Sequence, residues 1–141
     1  MMVSTRDKYF IELAYAQAVS SENAGGARHG AVVVLKNRVV SFGQNKKKTH
    51  PFQATYSKKP EALSLHAEND AIKNALKQLS VDDIRKATLY VARARRDGVG
   101  GSFRYGIAKP CSGCMGAIGT FEIKKVVYTT NEGTIESFTR K

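Results

Sequence analysis

The chain has 141 residues, of which 42% are hydrophobic and 25% charged, with only three prolines; this is the make-up of one compact globular domain and argues against wholesale disorder. No apolar run approaches the roughly 18 to 20 residues of a membrane span, and "MMVSTRDKYF" lacks the apolar core of a secretory leader, so a single domain over residues 1–141 in the cytoplasm, without a membrane partner, is expected. Lys and Arg number 23 against 12 acidic residues, a formal charge of +11, which points to nucleic acid or a phosphate-bearing ligand; the plain alternative is a solvated basic surface.

In chain order, Tyr9, Phe10, Leu13, Ala14 and Ala16 recur at mostly helical spacing behind a Ser4 or Thr5 cap and predict an amphipathic helix from Ser4 to Ala18. "SSENAGGARHG" breaks it. "AVVVLKNRVVSFG" then holds two β-branched runs around Lys36-Asn37 and predicts a hairpin. Gln44 to Pro60 is polar and basic, long enough for a functional loop that covers a substrate. Leu63, Ala67, Ala71, Ile72, Ala75, Leu76 and Leu79 describe one face of a second helix, from Glu61 to about Ser80.

"ATLYVARAR", Ala87 to Arg95, predicts a third strand, and the glycine-rich "RDGVGGSFRYG" after it reads as a flexible connection, since it lacks the spacing of a phosphate loop. Pro110 opens a short helix in "PCSGCMGAIGTF". The chain closes with a strand from Lys124 to Thr129, a turn at Asn131 to Gly133 and a strand from Thr134 to Phe138. The order α-β-β-α-β-α-β-β fits one mixed sheet of five strands with helices on its faces. Crossover helices make the connections between strands two and three and between three and four parallel, and the first and last pairs are antiparallel hairpins.

The chemistry-bearing residues are few. The two cysteines, Cys111 and Cys114, are three apart at a helix start, where the positive end of the helix favours thiolates that bind metal. Such a pair suits metal or redox chemistry in a reducing compartment better than a disulfide framework. Of the histidines, His29 stands at a strand entrance and His50 in the basic loop, whereas His66 opens a helix as the cysteines do. Two helix starts that follow parallel strands face one crevice at the strands' carboxyl ends. Glu68, two positions from His66, is turned away from it on the helix and suits a proton carrier at the open position of a three-ligand zinc. A structural zinc completed by His29 or His50, or a redox pair, is the alternative for the same residues.

"HAE" at His66 to Glu68 and "PCSGC" at Pro110 to Cys114, about 45 residues apart, match in full the H-x-E and P-C-x-x-C signature of zinc deaminases acting on cytosine or adenine. From about Gly30 to Tyr128 the chain resembles the cytidine and deoxycytidylate deaminase superfamily, with "HAENDAI" and "IKKVVYTTNEG" similar to phage or viral deoxycytidylate deaminases and "PCSGCMGAI" similar to transfer RNA and guanine deaminases. The resemblance implies an α/β fold, the three-layer α/β/α cytidine deaminase-like fold, with a mixed five-stranded sheet and a C-terminal antiparallel hairpin. It implies Zn2+ held by His66, Cys111 and Cys114, with Glu68 as general acid and base. It further implies that Asn45 contacts the sugar, that the backbone of Ala67 binds the pyrimidine carbonyl, and that the protein is a homo-oligomer.

The closing hairpin resembles the free-nucleoside branch, which favours a nucleoside or nucleotide substrate, deoxycytidylate first. The basic segments, with Tyr56, Phe103 and Tyr105 as stacking platforms, favour single-stranded DNA or transfer RNA. A zinc-stabilised nucleic-acid-binding module without activity is a third reading.

Overall fold

A computed structural model describes residues 4–20, 28–45, 66–96, 103–108 and 112–139. Its elements are α1 (Thr5–Val19), β1 (Arg28–Leu35), β2 (Arg38–Gln44), α2 (Ala67–Ala75), α3 (Val81–Ile84), β3 (Thr88–Arg96), β4 (Phe103–Gly106), α4 (Ser112–Thr120), β5 (Lys125–Thr129) and β6 (Ile135–Thr139). The sheet runs β2-β1-β3-β5-β6, with β4 pairing β3 beyond the register of β5.

The expected directions hold. β1 is antiparallel to both β2 and β3, so β2 and β3 are parallel across it; β3 and β5 pair in parallel, and β5 and β6 close the sheet as an antiparallel hairpin. The β1–β2 turn uses positive φ at Lys36 (52°) and Asn37 (65°), the primed geometry that matches strand twist. Two elements depart from expectation. The sheet has six strands instead of five because "FRYG" pairs with Arg93–Arg96 as β4, and the second helix ends at Ala75, with Ser80 capping the separate short α3. The basic segment at 46–65 and Pro110 lie outside the described residues.

Strand alternation sorts the apolar residues into two cores. Ala31, Val33, Leu89, Val91 and Val126 face α2 and α4, packing on Ala67, Ala71, Ile72, Ala117 and Ile118. Val32, Val34, Tyr90, Ala92 and Val127 face α1, packing on Phe10, Ile11 and Ala14. The result is three layers with the sheet in the middle.

α1 is pinned by charge as well as by burial. Ser4 and Asp7 form a reciprocal capping box. The Asp7 carboxylate, 3% exposed, also accepts from Tyr90 Oη at 2.7 Å and from Lys125 Nζ at 3.1 Å, tying the helix to β3 and β5. Burial pushes the Asp7 carboxyl up, but the donors Tyr90, Lys125 and the Ser4 amide together outweigh burial and hold it below the usual carboxylate range. A depressed folded pKa contributes stability that is present at neutral pH and lost as pH falls through the depressed value. Asp7→Asn should therefore cost about 1.5–3 kcal/mol at pH 7. In urea titrations the gap from wild type should narrow steadily as pH falls below the carboxylate range.

Candidate active site

The site is built around the first turn of α2. His66 is the N-cap residue, with extended backbone (φ −79°, ψ 155°), and its carbonyl accepts from the Asp70 amide at 2.8 Å. Its imidazole makes no capping hydrogen bond to the helix, and Ser, Thr, Asp or Asn would serve better as a cap, so a cap is not what the position is used for. Ala67 is fully buried at the first helical position, where the amide has no acceptor within the helix. Glu68 follows, only 5% exposed, in the first turn of α2, where the positive end of the helix favours negative charge.

This turn lies almost in backbone contact with β2. A Cβ added at Gly43 would come within 2.3 Å of the Ala67 carbonyl oxygen and 2.4 Å of the Ala71 nitrogen. Only glycine permits that approach. Polar bonds fix it on both sides: Ser41 Oγ donates to the Ala71 carbonyl at 2.7 Å, and the Gln44 amide donates to Asp70 Oδ2 at 3.1 Å.

At the same end of the sheet, on the face that α2 covers, Asn45, His29, Arg93 and Gly106 stand in one row across β2, β1, β3 and β4. Asn45 Oδ1 accepts from the His29 amide at 2.9 Å and the Asn45 amide donates to the His29 carbonyl at 3.3 Å, so this side chain continues the ladder and is held in one orientation. Beyond the row, Thr129 clasps the ends of three strands. Its Oγ1 accepts from the Arg93 amide at 3.1 Å and donates to the Gly106 carbonyl at 2.6 Å, and its carbonyl accepts from the Ala108 amide at 3.0 Å.

α4 packs beside α2 on the same face. Position 114 lies in its first turn, three and four residues before Ala117 and Ile118, which are buried against the sheet. The structure thus brings the start of α2, with His66, Ala67 and Glu68, to the end of β2, with Asn45, and sets the helix carrying Cys114 alongside. Cys111 lies outside the described residues, as do the side-chain details of Cys114. Among the described residues no three His, Cys, Asp or Glu side chains form a cluster that could hold a metal. The donors fit zinc in kind: an imidazole that does not cap its own helix, with Cys114 on the neighbouring helix and a second thiol, Cys111, three residues before it in sequence.

A family model, the cytidine and deoxycytidylate deaminase zinc-binding region, matches residues 4–130. The chain belongs to this family. The deaminase fold is shared with cytidine deaminase from Burkholderia pseudomallei, TM-score 0.66 at 17% identity over 97% of this chain and 93% of that one. It is shared too with the dCMP deaminase of cyanophage S-TIM5 in complex with dCMP and dUMP, TM-score 0.60 at 19% identity over 91% and 83% of the two chains. In sequence the chain is 26% identical to the tRNA-specific adenosine deaminase of Bacillus subtilis over 124 residues, 88% of this chain and 62% of that protein. It spans less than two thirds of the length of the curated relatives it matches.

Sequence reasoning missed the residues that seat this deaminase helix, Gly43, Ser41 and Asp70, and the strand clasp at Thr129. The signal at Gly43 was a glycine inside a strand pattern, which marks close backbone approach. Two residues expected near the substrate are elsewhere: Phe103 stacks under Arg28 at 5.2 Å and Tyr105 packs on Tyr15 and bonds Glu12, both on the α1 face of the sheet. Alternation along β4 turns them away from α2, so they are corrected to structural roles. If seating at Gly43 sets the site, Gly43→Ala should destabilise by about 1–3 kcal/mol and lower zinc content on metal analysis. Gly119→Ala in α4, with nothing within 4 Å of an added Cβ, should leave both unchanged or gain up to about 1 kcal/mol.

Proposed function

We propose that the protein deaminates cytosine to uracil in a free nucleotide or nucleoside, deoxycytidylate preferred, then deoxycytidine and cytidine. His66, Cys111 and Cys114 would hold zinc, Glu68 would move the protons, and Asn45 and the Ala67 backbone would position the substrate. The observation that carries this reading over a polymer substrate is the closing hairpin: β6 runs antiparallel to β5, the arrangement similar to that of the free-nucleoside branch. The turning of Phe103 and Tyr105 onto the α1 face supports it, since it removes two of the aromatic platforms a single strand would stack on.

When bound, zinc supplies the Lewis acidity that lets an attacking water lose its proton near neutral pH. Glu68 takes that proton and delivers it to the ring nitrogen, and a second transfer by the same carboxylate accompanies the leaving amino group, so water and cytosine give uracil and ammonia. Burial keeps this carboxylate away from bulk water, in the first turn of α2 beside His66 and Ala67. The Ala67 amide, lacking a helical acceptor, is suited to the pyrimidine carbonyl, and the anchored Asn45 to the sugar.

A second reading, deamination of adenine or cytosine in transfer RNA or single-stranded DNA, is favoured by the relationship to tRNA-specific adenosine deaminases and by the charge of +11. The discriminating experiment offers zinc-quantified protein cytidine, deoxycytidine, deoxycytidylate, single-stranded DNA and transfer RNA over a range of salt. Turnover of the monomers, nearly independent of salt, is expected; turnover confined to polymers and falling steeply with salt selects the second reading. Glu68→Gln should lower turnover about 10²–10⁴-fold while zinc content stays at the wild-type level. Full activity in that variant would exclude Glu68 as the proton carrier.

A further inference from the structure

Arg93 has no task in the mechanism above, yet it stands on the α2–α4 face at the site end of β3, cross-strand from His29. Its stem lies along Gly106: a Cβ there would meet Arg93 Cδ at 2.9 Å, Cγ at 3.1 Å and Nε at 3.3 Å, so only glycine leaves the side chain its bed. Nε is buried and has no hydrogen-bond partner among the described residues, while the residue as a whole keeps partial exposure. Arg95, two residues on and on the same face, is different: its Nε donates to the Tyr105 carbonyl at 3.1 Å and Nη2 to the Asn131 carbonyl at 3.2 Å.

An arginine cannot shed its charge, and a buried donor left unmade costs about 1–3 kcal/mol. A protein that selects such a group uses it. The partial exposure of the side chain lets an anion reach the guanidinium from solvent, and a planar guanidinium offers adjacent N–H groups to two oxygens of one anion. Along the row, Arg93 is two strand spacings, about 10 Å, from Asn45. With the base at Glu68 and the sugar at Asn45, the group of a nucleotide that remains to be bound is its phosphate.

We propose that Arg93 binds the 5′-phosphate of a nucleoside monophosphate substrate and thereby selects nucleotide over nucleoside. This rests on the pyrimidine deaminase reading, and its test separates the two. Zinc-loaded wild type, Arg93→Met and Arg93→Lys are titrated calorimetrically with deoxyuridylate and with deoxyuridine, product ligands whose binding needs no turnover, and melted with and without inorganic phosphate. Arg93→Met should weaken deoxyuridylate by about tenfold or more and deoxyuridine by no more than about twofold, with Arg93→Lys between. Because Nε forfeits nothing on removal, Arg93→Met should melt at or above the wild-type temperature.

Unchanged deoxyuridylate affinity, or equal losses for both ligands, overturns the assignment. So does a variant that loses affinity only for an oligodeoxynucleotide, which would make Arg93 a polymer contact. If the wild type binds neither pyrimidine, the deaminase substrate reading fails, and inorganic phosphate decides Arg93 alone. A phosphate-induced rise in melting temperature that Arg93→Met abolishes keeps the phosphate site, whereas no rise, or the same rise in the variant, removes it.

Discussion

The position of every chemistry-bearing residue on α2 depends on how closely its backbone approaches β2. At Gly43 the helix is so near the strand that a single added carbon would collide with main-chain atoms of both Ala67 and Ala71, atoms that no rotamer change can move aside. A helix held at ordinary side-chain separation, about 10 Å from a sheet, can roll and slide on its apolar contacts. One seated backbone on backbone, with Ser41 bonded to its Ala71 carbonyl and Asp70 bonded to the Gln44 amide, has its rotation and its register set together. His66, Ala67 and Glu68 inherit that precision because they form the turn that is seated.

The same device serves the other face. A Cβ at Gly30 would meet the Ala14 carbonyl oxygen at 2.2 Å and the Ala18 nitrogen at 2.5 Å, so α1 sits as tightly on β1 as α2 does on β2. The two faces then diverge in what they do with polar groups. The α1 face spends them internally: Asp7 is shared among Tyr90, Lys125 and the helix start, and Glu12 is bonded to Tyr105. The α2–α4 face collects His66, Glu68, Asn45 and Arg93 at one end of the strands, the carboxyl end of parallel β3 and β5. Structural electrostatics and candidate chemistry are thus separated by the thickness of the sheet.

Sequence pattern made most of this legible where periodicity and side-chain chemistry agreed. Alternating Val32 to Val34 and Leu89 to Val91 announced strands, Ser4 or Thr5 a helix start, and the closing hairpin was readable from the Asn131–Gly133 turn. The H-x-E motif was legible because it needs no tertiary knowledge. β4 was not, since four residues are too few to show a period, and the glycines before it suggest a flexible connection until the pairing of Arg93 with Gly106 is seen. The end of the second helix was misread because Leu76 and Leu79 continue the apolar face of α2, while Ser80, bonded to the Asp83 amide, starts a new turn. The orientation of Phe103 and Tyr105 depended on the same unseen register, and aromatic residues near arginines resemble stacking platforms whichever side of a sheet they face.

β4 also bears on how an extended loop is compatible with the site. The chain leaves β3 at Arg96, returns as β4 and must still deliver α4 to the crevice that a direct passage from β3 would reach. Thr129 makes the return equivalent to such a passage: one hydroxyl holds the Arg93 amide and the Gly106 carbonyl, and the same residue's carbonyl holds Ala108. The Asn131 side chain continues the clasp by accepting from the Ile107 amide at 2.9 Å. The outgoing and returning strands are therefore stitched at the point where β5 ends, which fixes Ala108 beside Thr129. The stitched segment contributes something a direct passage would not: at Gly106 it supplies the bare surface along which Arg93 extends. An insertion of this kind can change what the crevice recognises without moving the helix that carries His66 and Glu68, because α2 is seated on β2, at the opposite edge of the sheet from the excursion.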